Sequence, residues 1–529
     1  MATEAASPQT AEYVLYTGTV RWIILIAVML GTLMQVIDTS IVNVAIPQMM
    51  GNLGATLDQI GWVSTGYIIA NVIVLPLTGW LSSTFGRKRY LAASMIIFTV
   101  ASFMCGTANS LTSLIIYRIL QGAGGAALLS TAQATMMEIF PPRQLGTVQA
   151  IYGIGIMVGP TVGPTLGGWI TDNYYWQWIF FINVPIGIVA TILTLKYVHD
   201  SPHKRARAGV DFIGIGFLAI GLGSLQTVLE KGNREDWFQS DLISWLAFFA
   251  VAGLIAFVIW ELRTPHPAVN LHILRDRTFT AGSVIATVVG FGLYGGIFIL
   301  PVYLQQIRQY SAQQSGWIIF PGAMATAIVM PIIGRLVGRF SPRRLTALGV
   351  IAFVVSMYML THLTLDTGPD QLFWPLVIRG AAMGFLFVPL TLATLISLSP
   401  RNMADGTGLF NLFRQLGGSA GIAFLSTFVA RRADMHRATL VEYINAYNPV
   451  ALQRLHDIQA GLMAKGFAAP VAKQQALMIV DRMVQAQAMV MSFSDAFLVI
   501  GVVFLFTLPL LLFFKKGRIE AMSGGAGPD

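Results

Sequence analysis

The sequence predicts an all-α membrane protein with fourteen transmembrane helices, ordered six, two and six around two pseudo-symmetric six-helix bundles. Three observations predict it. The 529 residues are 55% hydrophobic and only 11% charged, too apolar for a soluble chain of this size. Apolar spans near the length of about 20 residues that a bilayer needs occur fourteen times. A short glycine- and arginine-containing motif returns eight helices after its first appearance.

In order, the spans are 22–46, 60–81, 90–108, 111–134, 146–170, 179–198, 212–230, 242–261, 280–304, 315–334, 345–363, 373–397, 405–430 and 493–514. They divide the chain into a tail (1–21), an N-terminal bundle (22–198), two inserted helices with linkers (199–278), a C-terminal bundle (279–514) and a second tail (515–529). The first tail lacks the basic region, apolar core and cleavage site of a secretory signal. An even count puts both tails on one side.

Basic residues choose that side. Twenty lysines and arginines fall in the tails and the short loops level with them, among them Arg87, Lys88, Arg89, Lys204, Arg205, Arg207, Arg343, Arg344, Lys515, Lys516 and Arg518. The opposite short loops hold three: Lys231, Arg234 and Arg308. The asymmetry makes both termini cytoplasmic. It also accounts for the net charge of +9 without any nucleic-acid partner.

The repeat pairs GWLSSTFGRKR (79–89) with GRLVGRFSPRR (334–344). Arg118 corresponds to Arg379, and Pro141 before Arg143 to Pro400 before Arg401. Two parallel halves with helices 7 and 8 inserted between them follow, a transporter plan whose binding site lies between the halves. The basic turn GRKR (86–89), with Gly79, Gly86 and Arg87 as motif residues, binds anionic lipid, anchors topology or pairs with neighbouring helix ends, with Glu138 as a candidate partner.

In helix 5, GIMVGPTVGPTLGGW (155–169) sets Gly155, Gly159, Gly163 and Gly167 along one side, with Pro160 and Pro164 inside the run. Such a segment predicts a close-packed, bent helix, placed at the interface between moving bundles. The stretch 431–492 predicts a long outer loop with amphipathic helices over 450–464 and 471–491, broken at Ala469-Pro470. Loops of this length usually have a function.

Four ionisable side chains sit inside spans: Asp38, Arg118, Arg379 and Arg414. Each is expensive there and by default functional or paired. Asp38 lies roughly 24 Å outward from Trp22 along helix 1, and Arg118 roughly 9 Å inward from Thr112 along helix 4. In a core about 30 Å thick they reach similar depths. Asp38 is therefore the candidate proton carrier and Arg118 its tuning partner. Burial favours the neutral acid and a nearby arginine the ionised one, so alternating between them loads and releases a proton. The repeat sets Gly292 opposite Asp38, which leaves proton handling to the N-terminal half. Arg414 has three candidate partners: an anionic substrate group, a backbone carbonyl or Asp405.

Candidate substrate contacts are Met34, Gln35, Asn43, Tyr67, Asn71, Gln121, Tyr294, Asn411, Arg414 and Gln415, which together suit bulky, partly apolar compounds. There is no H-E-x-x-H, Walker loop or G-x-S-x-G, and the lone Cys105 cannot form an internal disulfide. The chain reads as a non-enzyme without a cofactor, powered by an ion gradient or by the substrate's own gradient.

These motifs resemble a known family. GWLSSTFGRKR is similar to the loop 2–3 signature of the major facilitator superfamily, and Arg118 with Gln121-Gly122 to its helix 4 motif. GIMVGPTVGPTLGG resembles the helix 5 motif of its antiporters. MQVIDTSIVNVAIP (34–47) and WQWIFFINVPIG (176–187) resemble signatures of fourteen-helix drug:proton antiporters, and DWF (236–238) with the outer loop those of the EmrB type. The resemblance implies proton-coupled multidrug efflux by alternating access, with Asp38 and Arg118 at the family's acidic and basic positions. It also implies an adaptor of the EmrA type and an outer-membrane channel of the TolC type, met through 431–492. One departure is Ser83, where the loop 2–3 motif has an aspartate. A dedicated exporter of one metabolite and a non-transporting scaffold are the alternative readings.

Overall fold

The computed structural model describes residues 18–200 and 210–514. Most of both predicted tails, together with Lys204, Arg205, Arg207, Lys515, Lys516 and Arg518, lies outside the described residues. The described chain is helical throughout.

Six elements come first: α1 (Gly18–Leu53), α2 (Leu57–Phe85), α3 (Arg87–Gly106), α4 (Leu111–Ile139), α5 (Pro142–Asn173) and α6 (Trp178–Tyr197). Then follow α7 (Phe212–Lys231) and α8 (Asp241–Arg263). The remainder are α9 (Arg277–Val302), α10 (Ala312–Leu336), α11 (Pro342–Leu360), α12 (Pro369–Leu395), α13 (Met403–Glu442), α14 (Pro449–Ala464) and α15 (Ala469–Leu505).

Local chemistry sets several starts. Thr56 with Gln59, Ser110 with Ser113 and Ser311 with Gln314 form reciprocal capping boxes, satisfying amides that a helix start leaves open. Proline opens α5, α11, α12, α14 and α15, where its missing donor is harmless.

Twelve described helices are long and apolar enough to cross a membrane, and α5 makes a thirteenth if its bent halves count as one. The bend is 44°, between Pro142–Pro160 and Val162–Asn173. The fourteenth expected span, 405–430, falls in α13, which does not pass the same length-and-hydropathy test. α13 can be more polar because neighbouring helices, not lipid, cover it: Asp405, Asn411, Arg414 and five of its glycines are buried. α12 is likewise internal, 72% buried over its apolar window, whereas α8 is 22% buried and turns Trp245, Phe248, Val251 and Ile255 outward.

α1 packs on α5 and α6, and α4 on α2 and α3. On the other side α9 packs on α13, α12 on α10 and α11, and α15 on α13 and α11. The two sets meet mainly where α5 lies along α10 and where α13 crosses α2 and α4. α7 and α8 pair with each other, and α7 leans on α2.

The expected outer loop 431–492 is instead built largely from continuations of two spans. α13 has 40 residues, about 60 Å of helix and twice a bilayer core. α15 starts at the expected Ala469-Pro470 break and continues straight into its apolar stretch. Only α14 stands between them. Arg432 and His436 bind Asp495, and Arg437 binds Asp481, so the rising and descending helices are tied across.

Candidate functional site

The Asp38 carboxylate is fully buried in the N-terminal helices. Its Oδ2 accepts from Arg118 Nη1 at 2.6 Å. Its Oδ1 accepts from Gln121 Nε2 at 2.9 Å and from Asn183 Nδ2 at 3.2 Å. Helical spacing explains the convergence. Arg118 and Gln121 are three residues apart on α4 and share a face. The tight start of α6 brings Asn183 to the same level.

Arg118 is equally well held. Its Nη1 also donates to Gln121 Oε1 at 2.7 Å, and its Nε to the Val63 carbonyl at 3.1 Å. The Tyr67 ring lies under the guanidinium at 4.2 Å and Phe180 stands at 5.7 Å. Asn183 donates further to Ser102 Oγ at 3.1 Å, and Ser102 to the Phe180 carbonyl at 2.9 Å. Every group facing Asp38 is a donor, so this geometry fits the ionised carboxylate. Buried charges are tolerable only with this degree of pairing.

Sequence reasoning paired Asp38 with Arg118 and singled out Gln121 and Tyr67 as substrate contacts. It missed Ser102 and Asn183. Asn183 sits inside WQWIFFINVPIG, so the motif was visible and the role of its amide was not.

The glycine stripe requires a correction. Added Cβ atoms would strike Met29 from Gly155 (2.8 Å), Val36 from Gly159 (2.6 Å), Ser40 from Gly163 and Ile41 from Gly167 (2.8 Å). All four partners belong to α1, in the same half. The stripe is the seam that presses α5 onto the acid-bearing helix, not the surface between halves. The face toward α10 carries Gly146, Ala150 and Gly153, whose neighbours are Gly334, Val337, Met330 and Phe387. Gly153 and Gly155 are two residues apart, about 200° around a helix, so a single stripe cannot serve both surfaces. Pro160 lies at the bend between the two segments of α5.

At one end of the molecule Arg87 and Glu138 form a buried, two-point pair, with Nη2 to Oε1 at 2.6 Å. Ser83 only bonds back to the Trp80 carbonyl at 2.9 Å. Gly86 has φ +89°, which favours glycine, and a Cβ there would lie 2.7 Å from Asp200 Oδ1. That carboxylate accepts from Lys88 N at 3.1 Å at the start of α3. Gly79 packs against Asp405 of α13, and Gly408 against Thr78 and the Leu75 carbonyl, so α2 and α13 meet closely there.

Other predicted contacts scatter. Asn71 donates to the Gly122 carbonyl at 3.2 Å. Asn43 is exposed and accepts from Ser64. Met34 and Gln35 are buried, and Tyr294 and Gln415 half-buried. Asn411 reaches across the halves, donating to Gln133 Oε1 at 2.8 Å. Gln133 was not foreseen. Among the described residues Arg379 meets only the Gly296 carbonyl, at 3.5 Å. Gly292 packs against Phe504. Among the described residues no group of three or more His, Cys, Asp or Glu is placed to hold a metal ion.

The profile of the Major Facilitator Superfamily matches residues 28–422. The chain is 36% identical over 507 residues to the multidrug export protein EmrB of Escherichia coli K12, covering 96% of this chain and 97% of that protein. It is 33% identical over 499 residues to the fatty acid resistance protein FarB of Neisseria gonorrhoeae, covering 94% and 96%. Among solved structures it superimposes on the proton:xylose symporter XylE with a TM-score of 0.60 at 12% identity, covering 96% and 100%. That last likeness concerns the fold alone.

Proposed function

The chain belongs to the Major Facilitator Superfamily and is of the EmrB type, and we propose that it is a proton-coupled multidrug exporter working by alternating access. The observation that carries the proton coupling is the Asp38 knot. A carboxylate facing only donors is set to be deprotonated in this conformation. Loading a proton requires Arg118 to withdraw, and it already touches two other acceptors, Val63 O and Gln121 Oε1, that can keep its charge satisfied. Rocking of the halves (22–198 and 279–514) about 199–278 couples that withdrawal to opening of the cavity between them. Gly79, Gly86 and Arg87 serve the gate. Gly155, Gly159, Pro160, Gly163 and Gly167 keep α5 tight against α1.

The test is Asp38→Asn in vesicles with an imposed pH gradient. Gradient-driven accumulation of substrate falls to background while substrate binding persists. Undiminished driven transport sinks the proposal.

The protein lies in the inner membrane with both termini cytoplasmic. The extensions of α13 and α15, with α14, face the periplasm and meet an adaptor of the EmrA type, which leads to a TolC-type channel. Their support is their place opposite the basic loops. Deleting 443–468 should abolish capture of the adaptor and leave transport in vesicles intact. A second reading, export of a single metabolite class, is favoured by the relative named for fatty acid resistance. A panel of unrelated substrates in a sensitised host separates the two.

A further inference from the structure

We infer that Arg414 is the receptor for an anionic group on the transported molecule, so that the space between the halves selects amphipathic acids such as carboxylates. This rests on the exporter reading above and names its substrate class.

Arg414 stands on α13, less than one turn beyond Asn411, and is 3% exposed. The other buried arginines, Arg118 and Arg87, have acceptors, and so does half-buried Arg308. Arg118 holds Asp38, Gln121 and the Val63 carbonyl. Arg87 holds Glu138. Arg308 donates to the Leu365 carbonyl. Arg414 has neither carboxylate nor carbonyl among the described residues. Its recorded partner is the face of Phe387, 5.5 Å away, and its Nη1 is buried without an acceptor.

A desolvated guanidinium with no counter-charge is unfavourable, and stacking on one aromatic face offsets only part of that. Such a charge inside a membrane protein ordinarily faces a pathway or a ligand. Asp405 does not neutralise it. That acid is nine residues earlier, about 13 Å along the helix, packed against Gly79. Arg379 adds a second cation on α12 with only a long contact to Gly296. In the opposite half Asp38 and Arg118 cancel. The interior is therefore electropositive on the C-terminal side.

The surroundings suit an acid with an apolar body. Phe387 supplies a ring, and both Arg414 and Tyr294 lie within electrostatic reach of Tyr152. The Tyr152 hydroxyl is already committed to the Leu129 carbonyl at 2.8 Å. Gln133 Nε2 is a second buried donor without a partner, next to the cross-half bond to Asn411. A carboxylate bridging Arg414 and Gln133 would satisfy both.

The experiment measures binding of decanoic acid and of its neutral amide, decanamide, to the purified full chain in detergent, without a gradient. Wild type should prefer decanoate by about tenfold or more, the scale of one charge-assisted pair. Arg414→Gln should bring the two to near parity, and Arg414→Lys should fall between, because it keeps the charge and loses the planar fork. A Gln variant that is not monodisperse is set aside and Arg414→Lys alone decides, by a lowered ratio. An unchanged ratio in the variants, or equal binding of acid and amide by wild type, overturns the inference. Preference for decanoate without its export under a pH gradient leaves the inference standing and overturns the exporter reading.

Discussion

Gly146 of α5 and Gly334 of α10 meet backbone to backbone: a Cβ added to Gly334 would stand 2.9 Å from the carbonyl carbon of Gly146, and one added to Gly146 would stand 3.0 Å from that of Gly334. Here the two halves close on each other. No side chain fits, and backbone cannot yield as a flexible side chain can.

Gly334→Val should therefore hold this end open. A cysteine placed at Ala150, which lies on the same contact, reports it. Labelling by a membrane-impermeant thiol reagent should rise several-fold over the Gly334 parent, and transport should fall. Native Cys105 is buried and adds little background. Unchanged labelling with lost transport would mean that the contact does not gate access.

Asn183→Leu removes one of the three donors on Asp38. A hydrogen bond to a charged group contributes about 1.5–3 kcal/mol, so proton release, which regenerates the ionised carboxylate, should slow by about tenfold or more. The expected signature is a lower kcat for gradient-driven export with little change in KM. A change in KM alone would assign Asn183 to substrate instead.

The Arg87–Glu138 pair is buried, so removing one partner strands a charge. Glu138→Gln should cost about 3–5 kcal/mol, read as lower thermal stability of the purified protein. The double change Arg87→Gln with Glu138→Gln should recover part of it. Ser83→Ala should stay within about 0.5 kcal/mol, since its hydroxyl serves only its own helix.

Gly159→Val tests the inner seam. Its Cβ would fall 2.6 Å from Val36 Cγ1, half a turn before Asp38 on α1. Overpacking of this kind costs about 1–3 kcal/mol. Because the strain pushes on the acid-bearing helix, export should fall more than stability does, measured as transport per folded molecule. Full export from the folded fraction would reduce the seam to plain packing.

The helices themselves were legible in the chain, because lipid demands long apolar runs and each predicted span overlaps an observed helix. The pair Asp38 and Arg118 was legible too. Two lone charges at matching depth have few ways to be satisfied except by each other. The glycine run was legible as a tight seam and misread as to its partner. Glycine spacing fixes one face of a helix and says nothing about which neighbour approaches it. The extent of α13 was also misjudged. Its polar residues look like the end of a span, and helix propagation past the membrane depends on α15 lying alongside.

By itself, the sequence determined where the apolar runs lie, which loops carry the basic residues and the presence of a costly acid and three costly arginines within spans. All of these follow from transferring residues between water and hydrocarbon, a property each segment carries alone. Tertiary structure decided that Gly155 to Gly167 serve α1 while Gly146 and Gly153 serve α10, that Asn183 completes the Asp38 knot and that Arg414 is left without a counter-ion among the described residues. Those outcomes depend on which helices become neighbours, and contact between residues far apart in the chain is set by the packing of the whole bundle.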